Sequence, residues 1–266
     1  MKRKISIITT CYNSSKTIED TIKSVLNQDY ESYEYIIVDG LSTDGTLDIV
    51  KSYESKFKGK MRIISEKDKG MYDALNKGIK ASTGDIIGII NSDDILFDNH
   101  VFSHIDAAFN DTTDVLYGNV VYCDSSLTRP IRDYISGKRK RNDWCPAHPT
   151  MYIKRSVFDK MGLYNLKYKV SSDYDMIVRL TNTDLNFTYL NEYMVLMRIG
   201  GMSNGLKGYI NNFKDAYRIL KDNKVSLPFL YSHSIVAGGF PVMSYTTLFT
   251  CLTSLTILLD TFSSTS

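Results

Sequence analysis

The sequence predicts an α/β protein with a mostly parallel central sheet, flanked by helices and followed by a helical C-terminal tail. Two observations predict this class. Short runs rich in Ile and Val alternate with stretches of helical periodicity over the first hundred residues, which is the pattern of successive βαβ units. The runs are solidly apolar, as expected for parallel strands that are covered on both faces.

Four apolar runs mark the first strands, and three amphipathic stretches between them mark helices. The runs cover residues 5–10, 35–39, 61–65 and 85–90. Each helix is expected to pack its apolar stripe on the sheet. The first stripe consists of Ile18, Ile22, Val25 and Leu26, the second follows a turn at residues 42–45, and the third consists of Met71, Leu75 and Ile79.

Beyond residue 91 the regular alternation stops and a mixed α+β pattern follows. It predicts a helix near 100–110, strands near 115–122 and 150–154, and a helix from about residue 173. The segment from Val225 to Leu259 contains no charged residue and has leucines at helical spacing, but many Ser and Thr residues. We therefore expect residues 225–262 to contact a membrane surface or a second copy of the chain, and not to span a bilayer.

Composition excludes several classes of protein. The 266 residues include 32 Lys and Arg against 30 Asp and Glu, and 43% are apolar, as in a globular chain. A net charge of +2 argues against nucleic acid as a partner. The apolar run after the basic start ends at Ile8, too early for a signal peptide. Four cysteines without paired spacing indicate reduced thiols, so we expect a cytoplasmic protein.

Polar residues follow all four predicted strands. Ligands of α/β sheets bind beyond the carboxyl ends of the strands, and these turns place there a ring at Tyr12 and carboxylates at Asp39, Asp93 and Asp94. Neither the glycine fingerprint of dinucleotide-binding folds nor a P-loop is present. We therefore expect a site that stacks a base, holds its imide edge or ribose on Asp39, and binds Mg²⁺ or Mn²⁺ bridging a diphosphate.

The same residues also have a structural interpretation. Residues 91–94 suit a turn with a helix N-cap, and Asp39 alone suits a solvated carboxylate at a strand end. The functional interpretation depends on the fact that polar residues suited to a ligand follow all four predicted strands.

Four segments resemble one known family. They are ISIITTCYN at residues 5–13, SVLNQ at 24–28, IIVDGLSTDGT at 36–46 and DKGMYDALNKGI at 68–79. Over about residues 4–205 the chain is thereby similar to glycosyltransferase family 2, inverting enzymes with the GT-A fold that binds nucleotide sugars. The last segment resembles a subgroup that builds bacterial surface polysaccharides.

The resemblance implies a set of donor-binding residues by position. Leu75 stands where many relatives have Arg, so a nearby lysine is expected to meet the diphosphate in its place. The implied nucleotide and diphosphate contacts are Thr10, Tyr12, Asn13, Asp39 and Lys69.

The resemblance also implies a metal site. Asn91, Ser92 and Asp93 occupy the D-x-D position, in which the last carboxylate binds the metal. Asn91 replaces the first Asp of that pattern, which leaves Asp93 as the main ligand and Asp94 as a second one.

Residues 171–180 resemble the segment that carries the catalytic base. The family pattern places the base at its second acidic position, which is Asp173 here, and Ser172 replaces the preceding Glu. A carboxylate that interacts with a helix N-terminus is the structural alternative for Asp173.

Two further segments resemble parts of the acceptor side. Trp144 could stack on a sugar face and His148 could reach phosphates or the acceptor, although a structural aromatic and a buried His are equally good interpretations. Arg198 and Ser203 belong to a segment that resembles a flexible loop closing over the donor, and a plain surface loop is the alternative. The basic run at residues 138–141 is either solvated surface or a contact for anionic headgroups.

The resemblance implies an inverting glycosyltransferase that uses Mn²⁺ or Mg²⁺ and moves a sugar from a nucleotide-diphosphate-sugar, with UDP favoured, to a lipid-linked glycan. Residues 1–97 would bind the donor, residues 98–205 would hold the acceptor and the base, and residues 206–266 would form the tail. The protein would lie in the cytoplasm, peripheral to the membrane. A sugar nucleotidyltransferase and a non-catalytic nucleotide-sugar-binding protein remain alternatives, the second because of Asn91 and Ser172.

Overall fold

The computed structural model describes residues 2–138, 145–199 and 206–225, with side chains of the last helix described from residue 214. The first half of the chain follows the predicted βαβ order. Its elements are β1 (Ile5–Cys11), α1 (Ile18–Leu26), β2 (Tyr33–Asp39), α2 (Thr46–Tyr53), β3 (Met61–Ser65), α3 (Met71–Ala81) and β4 (Ile86–Ile89).

The second half adds short strands and further helices. They are β5 (Ile95–Leu96), α4 (Val101–Ala108), β6 (Val115–Cys123), β7 (Pro130–Tyr134), β8 (Tyr152–Lys154), α5 (Arg155–Met161), α6 (Ser172–Thr181), β9 (Phe187–Arg198) and α7 (Leu206–Asp222).

All strands in the described part of the chain join one sheet of order β3-β2-β1-β4-β8-β6-β9-β5, with β7 paired to β6. Pairing is parallel from β3 to β4, as the sequence predicts, and mixed beyond. The second half therefore extends the first sheet. Because β1 to β4 run in parallel, the turns at their carboxyl ends meet at one edge.

Two apolar cores cover the two faces of the sheet. Helices α1, α2 and α4 pack on one face, and α3, α5 and α6 pack on the other. The third predicted stripe is shifted, because Met71 is the first residue of α3 and is exposed while Tyr72 is buried.

Several elements were not predicted from the sequence. Strand β5 has two residues, and the edge strand β7 begins with a proline and is largely exposed. The long strand β9 is half-buried along much of its length, so its sequence lacks a clean alternation.

Helix α7 confirms a helix at the start of the C-terminal tail, and it packs on α6 through Ile219 and Leu220. The segment predicted to contact a membrane or a partner lies outside the described residues, apart from Val225. None of the helices in the described ranges has the length and apolar character needed to cross a bilayer.

Candidate active site

The turn after β1 presents an exposed ring held by a rigid backbone. Tyr12 is 65% exposed. Asn13 adopts a left-handed conformation with φ of 52°, its N–H donates to Ser42 Oγ at 2.9 Å, and its Oδ1 accepts from the N–H of Thr43 at 2.9 Å. The side chain of Asn13 thus joins the turns after β1 and β2, and Thr10 is half-buried just before the ring.

Asp39 organises the turn after β2. The residue is fully buried, and its carboxylate accepts hydrogen bonds from the hydroxyl of Ser65 at 2.8 Å and from the N–H of Ser42 at 3.3 Å. Burial and the charge of Asp39 raise the pKa of Cys11 to about 12, so Cys11 is a thiol that donates to the carboxylate. The nucleotide contact of Asp39 stays a prediction.

Asp68 is a second carboxylate at this edge, and the sequence motifs do not single it out. One of its oxygens accepts from the N–H of Gly70 at 2.8 Å. The other lies against Gly40, where an added Cβ would approach it to 2.5 Å and would come within 3.5 Å of the Tyr12 ring. The sequence indicates Asp68 only by its place in the polar turn after β3, next to the predicted diphosphate contact Lys69, which is exposed.

The turn after β4 is held by its own side chains. Ser92 Oγ lies 3.0 Å from Ser14 Oγ, which joins this turn to the end of β1. Asp94 is 1% exposed and accepts from the Asn91 amide at 2.8 Å. Burial, followed by the charge of Asp93, raises the pKa of Asp94 to about 7.

These contacts test the predicted metal site. The amide of Asn91 and the carboxylate of Asp94 bind each other inside the turn, which does not favour Asp94 as a metal ligand. Asp93 is half-buried, and its carboxylate makes no hydrogen bond or ion pair with another described residue. The described ranges hold no group of three acidic, His or Cys side chains suited to a metal. One open carboxylate fits a divalent ion that is held mainly by a substrate diphosphate and water.

Arg198, at the end of β9, contacts the same turn. Its guanidinium donates to the backbone carbonyl of Asp93, to the carboxylate of Asp20 at 2.6 Å and to the carbonyl of Ser125 at 2.9 Å. Its N–H donates to Asp94 at 3.2 Å. Arg198 was predicted in a mobile loop, but its side chain is 8% exposed and anchored. Ser203 lies outside the described residues.

The predicted base, Asp173, lies in the first turn of α6. Its Oδ1 accepts hydrogen bonds from the hydroxyl of Tyr72 at 2.9 Å and from the N–H of Tyr174 at 2.8 Å. Because Tyr72 follows Gly70 by two residues, α3 connects Asp173 to the turn that flanks Tyr12. The hydroxyl of Ser172 is buried and has no hydrogen-bond partner in the described part of the chain.

His148 lies close enough to Asp173 for the charge of Asp173 to act on its ring. Its Nε2 is 2.8 Å from the hydroxyl of Tyr164. Burial lowers the pKa of His148, and the charge of Asp173 opposes that shift only in part, so the ring is held neutral. Trp144 and most of the basic run at 138–141 lie outside the described residues.

The edge of the α/β sheet thus combines an exposed aromatic ring, acidic side chains and an accessible carboxylate after β4, at the place where proteins of this class bind their ligands. The sequence profile of glycosyl transferase family 2 matches residues 6–166, and the chain belongs to that family. The predicted fold class and the prediction of a glycosyltransferase are thereby confirmed.

Similar proteins were found by sequence and by structure. A PGL/p-HBAD biosynthesis glycosyltransferase from Mycobacterium bovis (strain BCG / Pasteur 1173P2) is 28% identical over 204 residues, which are 75% of this chain and 78% of the relative. S. aureus TarS 1-349 in complex with UDP-GlcNAc has a TM-score of 0.63 at 19% identity, over 88% of this chain and 71% of TarS 1-349.

A further solved structure shares the fold over nearly the whole chain. The mannosyltransferase PcManGT from Pyrobaculum calidifontis, in complex with GDP-Man and Mn²⁺, has a TM-score of 0.58 at 13% identity. The match covers 97% of this chain and 81% of PcManGT.

Proposed function

We propose that the protein is an inverting glycosyltransferase that moves one sugar from a nucleotide-diphosphate-sugar to a hydroxyl of a glycan in bacterial surface polysaccharide assembly. The observation that carries the proposal is the Tyr72–Asp173 hydrogen bond. It holds a carboxylate of the second half of the chain against the helix that begins at the donor edge. A single displacement requires a donor site and a base that are held close together, and this contact between α3 and α6 holds them so.

The donor lies along the strand ends in this proposal. Its base stacks on Tyr12, and Asp68 accepts a hydrogen bond from a base N–H, because the carboxylate of Asp39 is committed to the turn behind it. Lys69 is the exposed cation near the start of α3 and meets the diphosphate. UDP is favoured as the nucleotide, in line with the UDP-GlcNAc complex of TarS. Because PcManGT was solved with GDP-Man, GDP-sugars are tested as donors as well.

Asp93 is the residue that would hold Mn²⁺ or Mg²⁺. The ion, when bound, neutralises charge that develops on the diphosphate leaving group. Arg198 keeps Asp93 in place through its backbone carbonyl, and Ser92 ties the turn to the end of β1. The Mn²⁺ in PcManGT supports a divalent cation of this kind.

Asp173 acts as the general base. It takes the proton of the acceptor hydroxyl, the hydroxyl oxygen forms a bond to the anomeric carbon, and the bond from that carbon to the diphosphate oxygen breaks. The electron pair leaves with the nucleoside diphosphate. Attack opposite the leaving group inverts the anomeric configuration, and a positioned base accelerates such a step by roughly 10²–10⁴-fold.

The acceptor is a lipid-linked glycan at the inner face of the cell membrane in this proposal. The DKGMYDALNKGI segment, which resembles a subgroup that builds bacterial surface polysaccharides, supports an acceptor of the cell surface. Residues 98–199 of the described chain, with His148 beside Asp173, would form the acceptor side.

Release of nucleoside diphosphate from UDP-, GDP- and dTDP-sugars tests the proposal, with bacterial membrane extract as acceptor source and either Mn²⁺ or EDTA. We expect metal-dependent release of one nucleoside diphosphate by the wild type and not by Asp93→Ala. Cleavage of a donor to a sugar 1-phosphate would instead show a nucleotidyltransferase. Donor binding without turnover of any donor would show a binding protein.

A further inference from the structure

The hydroxyl of Tyr72 lies between two hydrogen-bond acceptors. Its oxygen is 2.6 Å from the backbone carbonyl of Val170 and 2.9 Å from Oδ1 of Asp173, and the residue is 3% exposed. A phenol has one hydrogen to donate and lone pairs with which to accept. The two neighbours therefore compete for one hydrogen when Asp173 is a carboxylate.

The ring of Tyr72 is fixed in this position. It stacks on the ring of Tyr164 with centroids 5.7 Å apart and planes 24° apart. The backbone of Tyr164 is bound to the side chain of Asn76 by two hydrogen bonds of 2.9 Å, and its hydroxyl contacts His148. The hydroxyl hydrogen of Tyr72 can therefore turn while its oxygen stays in place.

The surroundings keep Tyr72 protonated. Burial, with the charge of Asp173, raises the pKa of Tyr72 far above its usual range. The titratable groups that face the pair are Asp173 on α6, Tyr164 before α6, and Cys145 and His148 before β8. Burial raises the pKa of Cys145 and lowers that of His148, so both are neutral. The charge of Arg179, which is paired with Asp175, affects the pKa of Tyr164.

We propose that Tyr72 is a positioning residue that holds Asp173 in both of its protonation states, an inference that rests on the proposed function. While Asp173 is a carboxylate, the Tyr72 hydroxyl donates to it. Once Asp173 has taken the acceptor proton, the Tyr72 hydrogen turns to the Val170 carbonyl, and the phenol oxygen accepts from the Asp173 O–H. The number of hydrogen bonds is conserved across the proton transfer, and only hydrogens move.

Steady-state kinetics of Tyr72→Phe test this inference, because phenylalanine keeps the stacked ring and removes only the hydroxyl. We expect kcat to fall about tenfold, the size of one charge-assisted hydrogen bond, with an unchanged donor dissociation constant. The acid limb of the kcat profile should move to higher pH, because the hydrogen bond lost from the charged carboxylate is stronger than the one lost from the neutral acid. Tyr35→Phe is the matched control, since Tyr35 is a fully buried tyrosine whose hydroxyl contacts Thr9 at 3.0 Å. It should change neither kcat nor the pH of the acid limb.

A double-mutant cycle separates this inference from the proposed function. If Tyr72 acts through Asp173, Tyr72→Phe should change the residual rate of Asp173→Asn less than twofold. A fully active Asp173→Asn would overturn Asp173 as the base and, with it, the part of the proposed function on which this inference rests. An inactive Asp173→Asn together with a fully active Tyr72→Phe would overturn only the role of Tyr72.

A second substitution covers the case in which Tyr72→Phe does not fold. Incorporation of 3,5-difluorotyrosine at position 72 keeps the ring and makes the hydroxyl a stronger donor. The acid limb should then move to lower pH, opposite to the shift expected for phenylalanine. An unmoved acid limb in the fluorinated protein would contradict the inference.

Discussion

The guanidinium of Arg198 donates a hydrogen bond to the backbone carbonyl of Asp93, across 105 residues of chain. The same side chain bonds Asp20 on α1 and the carbonyl of Ser125 after β6. One buried cation thus joins three segments at the turn that carries the proposed metal ligand.

Replacement of Arg198 by Lys should weaken metal-dependent donor binding. Lysine has a single nitrogen and cannot reach three separated acceptors, so the turn that carries Asp93 loses its support. We expect the donor dissociation constant in Mn²⁺ to rise about tenfold, which is about 1.4 kcal/mol, as measured by calorimetric titration. Arg155→Lys is the control, because Arg155 bonds Gly84 and Ser82 at the opposite end of the sheet. Equal donor affinity in both variants would contradict the role of Arg198.

Replacement of Gly40 by Ala should impair donor use by displacing Asp68. The added Cβ would lie 2.5 Å from the Asp68 carboxylate, so this proposed base contact must shift, whereas the Tyr12 ring at 3.5 Å stays in ordinary contact. We expect the donor KM to rise about tenfold, a loss of about 1.4 kcal/mol.

Gly59→Ala provides the matched control for Gly40→Ala. Gly59 has φ of +82° with open space around its Cα, so alanine there should cost roughly 1–2 kcal/mol of stability through strain. The donor KM of Gly59→Ala should stay at the wild-type value. An unchanged KM in Gly40→Ala would remove Asp68 from the proposed donor site.

His148 should make the protein less stable in mild acid. Burial lowers its pKa in the folded protein, so the unfolded chain binds more protons as the pH falls below about 6.5. The stability that the neutral His148 side chain contributes is therefore present above that pH and is lost as the pH falls. Urea unfolding at pH 7.5 and 5.5 should show a loss in the wild type that is about 1 kcal/mol larger than in His148→Gln.

His100→Gln tests the sign of this pH effect. The hydrogen bond that His100 donates to the Asp29 carboxylate raises the pKa of His100, so its contribution to stability is present at low pH and is lost as the pH rises. His100→Gln should therefore differ from the wild type in the direction opposite to His148→Gln. An identical pH dependence in the wild type and His148→Gln would contradict a buried neutral His148.

The sequence was sufficient for the first half of the fold because its strands are solid apolar runs between clear helical stripes. It was less informative for β9, whose half-buried residues lack alternation, and for β5, which has only two residues. Those strands are defined by partners distant in the chain, which local periodicity does not show.

The candidate site divides in the same way. Tyr12, Asp93 and Asp173 could be predicted because each follows a recognisable motif. The commitment of Asp94 to Asn91 and the approach of Asp68 to Gly40 depend on the folded turns. The contact of Tyr72 with Asp173 joins residues 101 positions apart, so neither motif alone indicates it.

The most direct test of the account compares Asp173→Asn with the wild type in donor binding and in sugar transfer, with the donor and acceptor identified by the release assay. Asparagine keeps the shape and can still hydrogen-bond Tyr72, so the fold and the donor dissociation constant should be unchanged. The transfer rate should fall by roughly 10²–10⁴-fold, because the amide cannot accept the acceptor proton. Transfer at the wild-type rate would contradict Asp173 as the base and, with it, the proposed mechanism.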